Sequence, residues 1–185
     1  MNRIYREIIK IGENLFKERL VNISSGNISV KIGKDILITK KGSSLGFLKE
    51  SDIIKVGLVK SKRDRFASIE LPVHKMIYKN TDALAIVHAH PIYAITLSLI
   101  KEKIIPLDAE AQYYFKEIPV VSVDNPIGST ELAQKVSRAL KNNLIVVVKT
   151  HGSFAKGRTV KEANYFTSLL EQSSKIIYLH SLIKK

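Results

Sequence analysis

The sequence predicts an α/β fold, a layered sheet covered by helices, and three observations carry that reading. Apolar residues recur at helical spacing in five segments. They alternate, or run unbroken for a few residues, in several others. The two kinds of segment interleave along the chain. At 185 residues the chain fits one domain, residues 1–185, on a prior of about 100–200 residues per domain.

The elements follow in order. Residues 3–20 place Ile4, Ile8, Ile11 and Leu15 on one face of an opening amphipathic helix. Ile28, Val30 and Ile32 then alternate, Gly33-Lys34 turns, and Ile36 and Ile38 alternate again, which reads as a β-hairpin. A strand is expected over 53–58, and the charged stretch 60–67 (KSKRDRFA) reads as a loop or hairpin tip. From Ser68 the period is helical, with Pro72 tolerated in the first turn and Leu71, His74, Ile77 and Tyr78 on one face. Residues 83–90 are a short apolar run, read as a buried strand; Pro91 opens a helix to about Ile100. A loop through Pro106 precedes a strand near 120–123. Gly128-Ser129 starts a helix aligning Leu132, Val136 and Leu140, and 144–148 (LIVVV) has the composition of a central strand. The last helix begins at Thr159, whose spacing to Glu162 fits a capping box, and buries Ala163, Phe166, Leu170 and Ile177.

Composition removes several functions. The chain has no cysteine, so a disulfide framework, a thiolate nucleophile and a Cys-ligated zinc ribbon are excluded. Any metal must sit on His, Asp or Glu. No apolar run approaches the roughly 18 residues of a membrane span, and the opening MNRIYREIIK has no signal-peptide core. The expected compartment is cytoplasmic, with no membrane partner. A net charge of +13 suits anionic partners such as nucleic acid, acidic lipid or phosphorylated metabolites. The basic residues are spread along the whole chain, which equally suits a surface kept soluble. With no aromatic-interleaved basic motif and no helix-turn-helix signature, nucleic acid is not the expected partner.

His88-Ala89-His90 ends the run ALAIV. On a strand, residues two apart share a face, so both imidazoles can chelate one ion. The pair alone is equally at home as satisfied core residues. His151 changes the balance, because it ends a second apolar strand and is followed by Gly152. Buried strands that end together commonly build a site. Three histidines leave an open coordination position, as catalytic zinc requires. His74 reads as structural or supporting and His180 as solvent-facing. Glu70, at a helix start where the dipole favours a carboxylate, is the candidate base; an ordinary first-turn glutamate would look the same. Two polar, glycine-bearing turns, Ser24-Ser25-Gly26-Asn27 and Lys41-Gly42-Ser43-Ser44, expose backbone N–H groups able to cradle an oxyanion, although many such turns are only turns.

In order along the chain stand NISSGNIS (22–29), ILITKKG (36–42), SIELPVH (68–74), VHAHP (87–91), GSTEL (128–132) and His151-Gly152. Together they resemble the class II aldolase/adducin family over nearly the whole chain. The resemblance implies a three-layer α/β/α sandwich around a mostly antiparallel sheet, assembled as a homotetramer. It implies zinc, or another divalent metal, on His88, His90 and His151, with Glu70 as catalytic glutamate that also approaches the metal. It implies a phosphate held by Gly26, Asn27, Lys41, Gly42 and Ser68. The implied activity is that of an aldehyde-lyase. A phosphorylated ketose, similar to fuculose 1-phosphate, is cleaved through an enediolate to dihydroxyacetone phosphate and an aldehyde. Sister chemistries on the same site are pentulose-phosphate 4-epimerisation, methylthioribulose-phosphate dehydration and sugar-acid phosphate decarboxylation; a non-enzymatic adducin-like or nucleic-acid-binding module is the remaining alternative. Three departures stand out. Lys41 replaces the family's threonine, Ile69 replaces a serine, and Glu110 stands where fuculose-type enzymes carry a tyrosine acid, with Tyr113 and Tyr114 nearby.

Overall fold

The structure is a computed structural model, and it describes residues 3–183. Six α-helices and eight strands occur among the described residues: α1 (Arg3–Lys17), β1 (Asn27–Ile32), β2 (Asp35–Thr39), β3 (Ile53–Gly57), α2 (Leu71–Asn80), β4 (Ala85–Ala89), α3 (Ile92–Ser98), β5 (Lys103–Ile104), α4 (Ala109–Tyr114), β6 (Ile118–Val121), α5 (Thr130–Ala139), β7 (Ile145–Val148), β8 (Gly152–Gly157) and α6 (Val160–Ile183). The strands form one sheet in the order β3-β2-β1-β4-β8-β7-β6-β5. Every pairing is antiparallel except β6 with β7.

Side-chain alternation divides the core into two. Ala85, Val87, Ile145 and Val147 face one side and pack with Ile8, Leu15, Ala94, Ala111, Phe166 and Leu170 from α1, α3, α4 and α6. Ile86, Val146, Val148 and Phe154 face the other and pack with Leu71, Ile77, Leu132 and Val136 from α2 and α5. Strands buried on both faces read as unbroken apolar runs, as β4 and β7 do. The result is an α/β/α sandwich around a mostly antiparallel sheet. No described helix is long and apolar enough to cross a membrane.

The differences from expectation are local. The stretch expected as a loop or hairpin tip contains a 3₁₀ turn, Lys62–Phe66, leading from β3 into α2. The strand expected near 120–123 begins earlier, at Ile118. Three elements had no counterpart in the reading: the two-residue β5, the six-residue α4, and β8, which lies centrally between β4 and β7. The α6 entry makes half of the expected capping box. Thr159 Oγ1 accepts the Glu162 N–H at 3.1 Å, but the Glu162 carboxylate accepts from Arg158 N, one residue further out.

Candidate functional site

Strand register assembles the site. β1 pairs with β4 so that Asn27 lies opposite His88, which sets the Gly26-Asn27 turn beside that imidazole. β4 pairs with β8 so that Ala89 lies opposite Ser153, which brings His151-Gly152 against His90. At the end of β2, Lys40 bridges Ala67 and Lys41 N–H donates to the Phe66 carbonyl at 3.1 Å, so the Lys41-Gly42 turn meets Ser68 and Glu70. The nine residues singled out in the sequence (Gly26, Asn27, Lys41, Gly42, Ser68, Glu70, His88, His90 and His151) line one cavity of about 330 Å³.

Two glycines are dictated by close approach. Gly26 has φ +81, and a Cβ there would lie 2.6 Å from Val21 Cγ1 and 2.9 Å from the His88 carbonyl oxygen. At Gly152 a Cβ would lie 2.4 Å from the Ala89 carbonyl oxygen and 3.2 Å from both the His88 and His90 rings. Between β7 and β8, Thr150 takes φ +66, a costly conformation for a β-branched residue, and its N–H donates to Ser98 Oγ at 3.3 Å. This tight turn carries His151 back over β4.

The three imidazoles form a nearly equilateral set, with ring centroids 4.8–5.0 Å apart, and their ligand nitrogens lie within 4.8 Å of one another. His88 Nδ1 is 2.9 Å from the Ser153 carbonyl oxygen. A carbonyl only accepts, so Nδ1 carries the proton and Nε2 presents a lone pair to the cavity. The His88 ring also stacks on Phe154, centroids 4.2 Å apart and planes 17° from parallel. The His88 and His90 Nε2 atoms are 3.1 Å apart. Two nitrogens on a tetrahedral zinc at bond lengths of about 2.0–2.1 Å would stand about 3.3 Å apart, so this pair fits such an ion, with the His151 nitrogen within 4.8 Å of both. Burial, reinforced by mutual repulsion, holds His88 well below the ordinary imidazole range; burial first and then His151 bring His90 down to about 4; burial lowers His151 as well. All three are neutral near pH 7 and can ligate a cation.

Glu70 occupies the residue before α2 but does not cap it. Its two carboxylate oxygens each accept the Gly128 N–H at 3.2 Å, and one lies 4.0 Å from His151 Nε2. Burial pushes its pKa up to about 7, against the opposing Gly128 hydrogen bond. Sequence reasoning did not find Gly128 N–H, the Ser153 carbonyl or Phe154 as site components. They act through backbone groups or ring faces on segments distant in the chain; Gly128 opens the GSTEL segment, but nothing in that segment tells that its N–H meets Glu70. Ser29, His74 and Tyr78 form a buried chain of contacts (Ser29 Oγ to His74 Nδ1 2.6 Å, to Tyr78 Oη 2.7 Å) on the same side of the sheet. His180 is exposed. Glu110 does not line the cavity; its carboxylate accepts from the Tyr165 hydroxyl at 2.8 Å, and Tyr113 and Tyr114 are also outside the cavity wall.

Comparison with known proteins is consistent with this geometry. Residues 6–178 match the family described as Class II Aldolase and Adducin N-terminal domain. An L-fuculose phosphate aldolase of Methanococcus maripaludis (strain C7) is 36% identical over 177 residues, covering 95% of this chain and 97% of that protein. A methylthioribulose-1-phosphate dehydratase of Sulfurihydrogenibium is 31% identical over 173 residues, covering 85% of this chain and 80% of that one. The crystal structure of l-fuculose-1-phosphate aldolase from Thermus thermophilus superposes with a TM-score of 0.95 at 34% identity, covering 98% of this chain and 96% of that one.

Proposed function

We propose a metal-dependent sugar-phosphate aldolase, starting from the fact that this chain belongs to the class II aldolase and adducin N-terminal domain family. The observation that carries the proposal is the convergence of His88, His90 and His151, with the Glu70 carboxylate 4.0 Å from His151, in the cavity that also holds both oxyanion-type turns. His88, His90 and His151 would hold the ion, with zinc the best match to three imidazoles and an open position. When bound, a divalent cation supplies Lewis-acid stabilisation of a developing oxyanion, worth several kcal/mol of barrier.

The chain's own groups do the rest. The Gly26-Asn27 and Lys41-Gly42 turns and Ser68 would hold the substrate phosphate and so orient the ketose. In retro-aldol cleavage the C3–C4 bond of the ketose breaks. The C4 hydroxyl proton leaves as the aldehyde forms, and the electron pair passes to C3 and the adjoining carbonyl. Glu70 then delivers a proton to C3, giving dihydroxyacetone phosphate, and withdraws it in the condensation direction. Burial raises this carboxyl and a bound cation would lower it, and the balance sets how readily it gives and takes the proton. Fuculose 1-phosphate, ribulose 1-phosphate and 5-deoxyribulose 1-phosphate are the substrates to test in a coupled assay. Metal-dependent release of dihydroxyacetone phosphate from one of them is expected; none from any of them rejects the aldolase.

Dehydration is the second reading. It is favoured by similarity to the methylthioribulose-1-phosphate dehydratase and by the location of Glu110, Tyr113 and Tyr114 outside the cavity, which leaves the second acid of an aldolase unassigned. Loss of water, detected by product mass, separates it from cleavage into two fragments. The same measurement would reveal epimerisation as an isomer and decarboxylation as loss of carbon dioxide. Exposed apolar side chains recur from α3 to α4, at Ile92, Leu99, Ile100, Ile105, Leu107 and Tyr113. Their exposure supports assembly into a homo-oligomer, read here as a homotetramer, in which subunit contacts would bury them.

A further inference from the structure

Lys40, Lys41 and Gly42 line two cavities. One is the histidine cavity. The other is larger, about 810 Å³, and is walled also by Arg63, Arg65, Ile54 and Phe66. Arg63 and Arg65 come from the 3₁₀ turn Lys62–Phe66, a charged stretch for which the aldol chemistry has no use. The Arg65 guanidinium lies 4.6 Å over the Phe66 ring, which orients the cation at the cavity wall.

The charges in this cavity are uncompensated. No acidic residue lines it. Lys55, also in the wall, is paired with Asp35 at 2.6 Å. The carboxylate of the arginine-bearing turn, Asp64, is taken by Lys75 at 2.6 Å and by the Ser61 hydroxyl at 2.9 Å. Among the described residues Lys40, Lys41, Arg63 and Arg65 therefore converge on the cavity with no carboxylate partner. One phosphate monoester carries about −1.5 to −2. That satisfies the lysines at the turn and leaves both arginines unmatched. Guanidinium forks are suited to phosphoryl oxygens.

We propose that this cavity is a second phosphoryl subsite, adjoining the first at the shared residues Lys40, Lys41 and Gly42, so that the ligand class is one bearing two contiguous phosphoryl groups. The first phosphoryl sits at the Lys41-Gly42 turn and the second reaches Arg63 and Arg65. This deepens the aldolase reading by naming a substrate or competing anion with a diphosphate end, and it rests on that reading for the placement of the first phosphoryl.

The test compares inorganic pyrophosphate with orthophosphate by titration calorimetry at about 150 mM salt, where long-range steering by the net charge is damped. Three purified proteins are used: wild type, the double variant Arg63→Ala/Arg65→Ala, and a charge-matched control, Arg6→Ala/Lys17→Ala, whose side chains are exposed on α1 across the sheet. Wild type and control are expected to bind pyrophosphate at least tenfold more tightly than orthophosphate. In the double variant the two affinities should come within twofold, with orthophosphate binding unchanged. Metal content is measured before and after each titration, and any titration in which pyrophosphate strips metal is repeated for both anions on the chelated protein. Equal affinity for the two anions in wild type overturns the proposal, as does a pyrophosphate preference that survives in the double variant. Tight, steeply salt-dependent binding of duplex nucleic acid through Arg63 and Arg65, without a pyrophosphate preference, also overturns it. Turnover of sugar monophosphates is measured on the same samples. Its absence from wild type would reject the aldolase and leave the calorimetric result standing, so the two failures are separable.

Discussion

His88 Nδ1 donates to the Ser153 carbonyl across 65 residues of sequence, at 2.9 Å, and this one bond fixes which imidazole nitrogen faces the cavity. The bond exists because β8 lies directly against β4. That closeness in turn depends on Gly152, where a Cβ would meet the Ala89 carbonyl oxygen at 2.4 Å. Gly152→Ala is expected to push β8 away and displace the His88 and His90 rings. Metal affinity should drop by about 10- to 100-fold, the range for disturbed support of metal-ligating histidines, while far-ultraviolet circular dichroism stays that of the wild type. Unchanged affinity would mean that the strand spacing does not control the ligands.

Glu70→Gln keeps the shape of the side chain and removes its acid–base function. Turnover should fall by about 10²- to 10⁴-fold with little change in KM, measured on the best substrate of the coupled assay. The same substitution has a second signature in the metal-free protein. The folded carboxyl keeps its proton up to about pH 7, against an ordinary value of 4.5 in the unfolded chain. The folded state therefore holds the extra proton between those values, and stability is lost as pH rises through that window. In urea unfolding of the chelated protein the buried histidines add the same rise in stability from pH 5 to pH 8 to both proteins, so the wild type should gain less over that interval than Glu70→Gln.

His74 predicts the opposite limb. Complete burial lowers its pKa from 6.5 to about 3. Below pH 6.5 the unfolded chain takes up a proton that the folded chain refuses, so stability falls as pH drops towards 3, by about 1.4 kcal/mol per unit for one such group. Its Nδ1 lies 2.6 Å from Ser29 Oγ, so a neutral amide retains a hydrogen-bonding partner for that hydroxyl. His74→Gln should be less stable than wild type at pH 7.5 yet show a shallower acid limb in urea titrations between pH 6.5 and 4.5. An acid limb as steep as that of wild type would assign the titration to other groups.

Much of this was legible in the sequence because the interior obeys simple periods. The apolar stripe of α1 survives folding because it buries one face, whereas β2 buries both, Ile36 and Ile38 in one core and Leu37 in the other. The runs in β4 and β7 survive because both faces are covered. The strand β8 was not legible. It is a central strand whose sequence, GSFAKG, begins and ends in glycine. At its start small residues are required by contact with β4 and the histidines, which erases the β-branched signature of buried strands. The helix α4 spans six residues, too few to display a 3.6-residue period, and is marked only by Asp108 accepting the Ala111 N–H at 3.0 Å. The candidate site was legible residue by residue, through motif order, and the structure brings all nine of those residues to one cavity wall. Its supports were not, because Gly128 reaches Glu70 across 58 residues by a backbone N–H. Glu110 illustrates the limit of motif counting: its position in the chain is right for an acid, yet its carboxylate is engaged by Tyr165 outside the cavity.

Metal content measured on protein purified without added metal, as wild type and as His88→Ala, bears most directly on the whole account. The wild type should carry about one divalent ion per chain and the variant very little, with both folded by circular dichroism. A full complement of metal in His88→Ala would contradict the assignment of the three imidazoles, and with it the chemistry built on them.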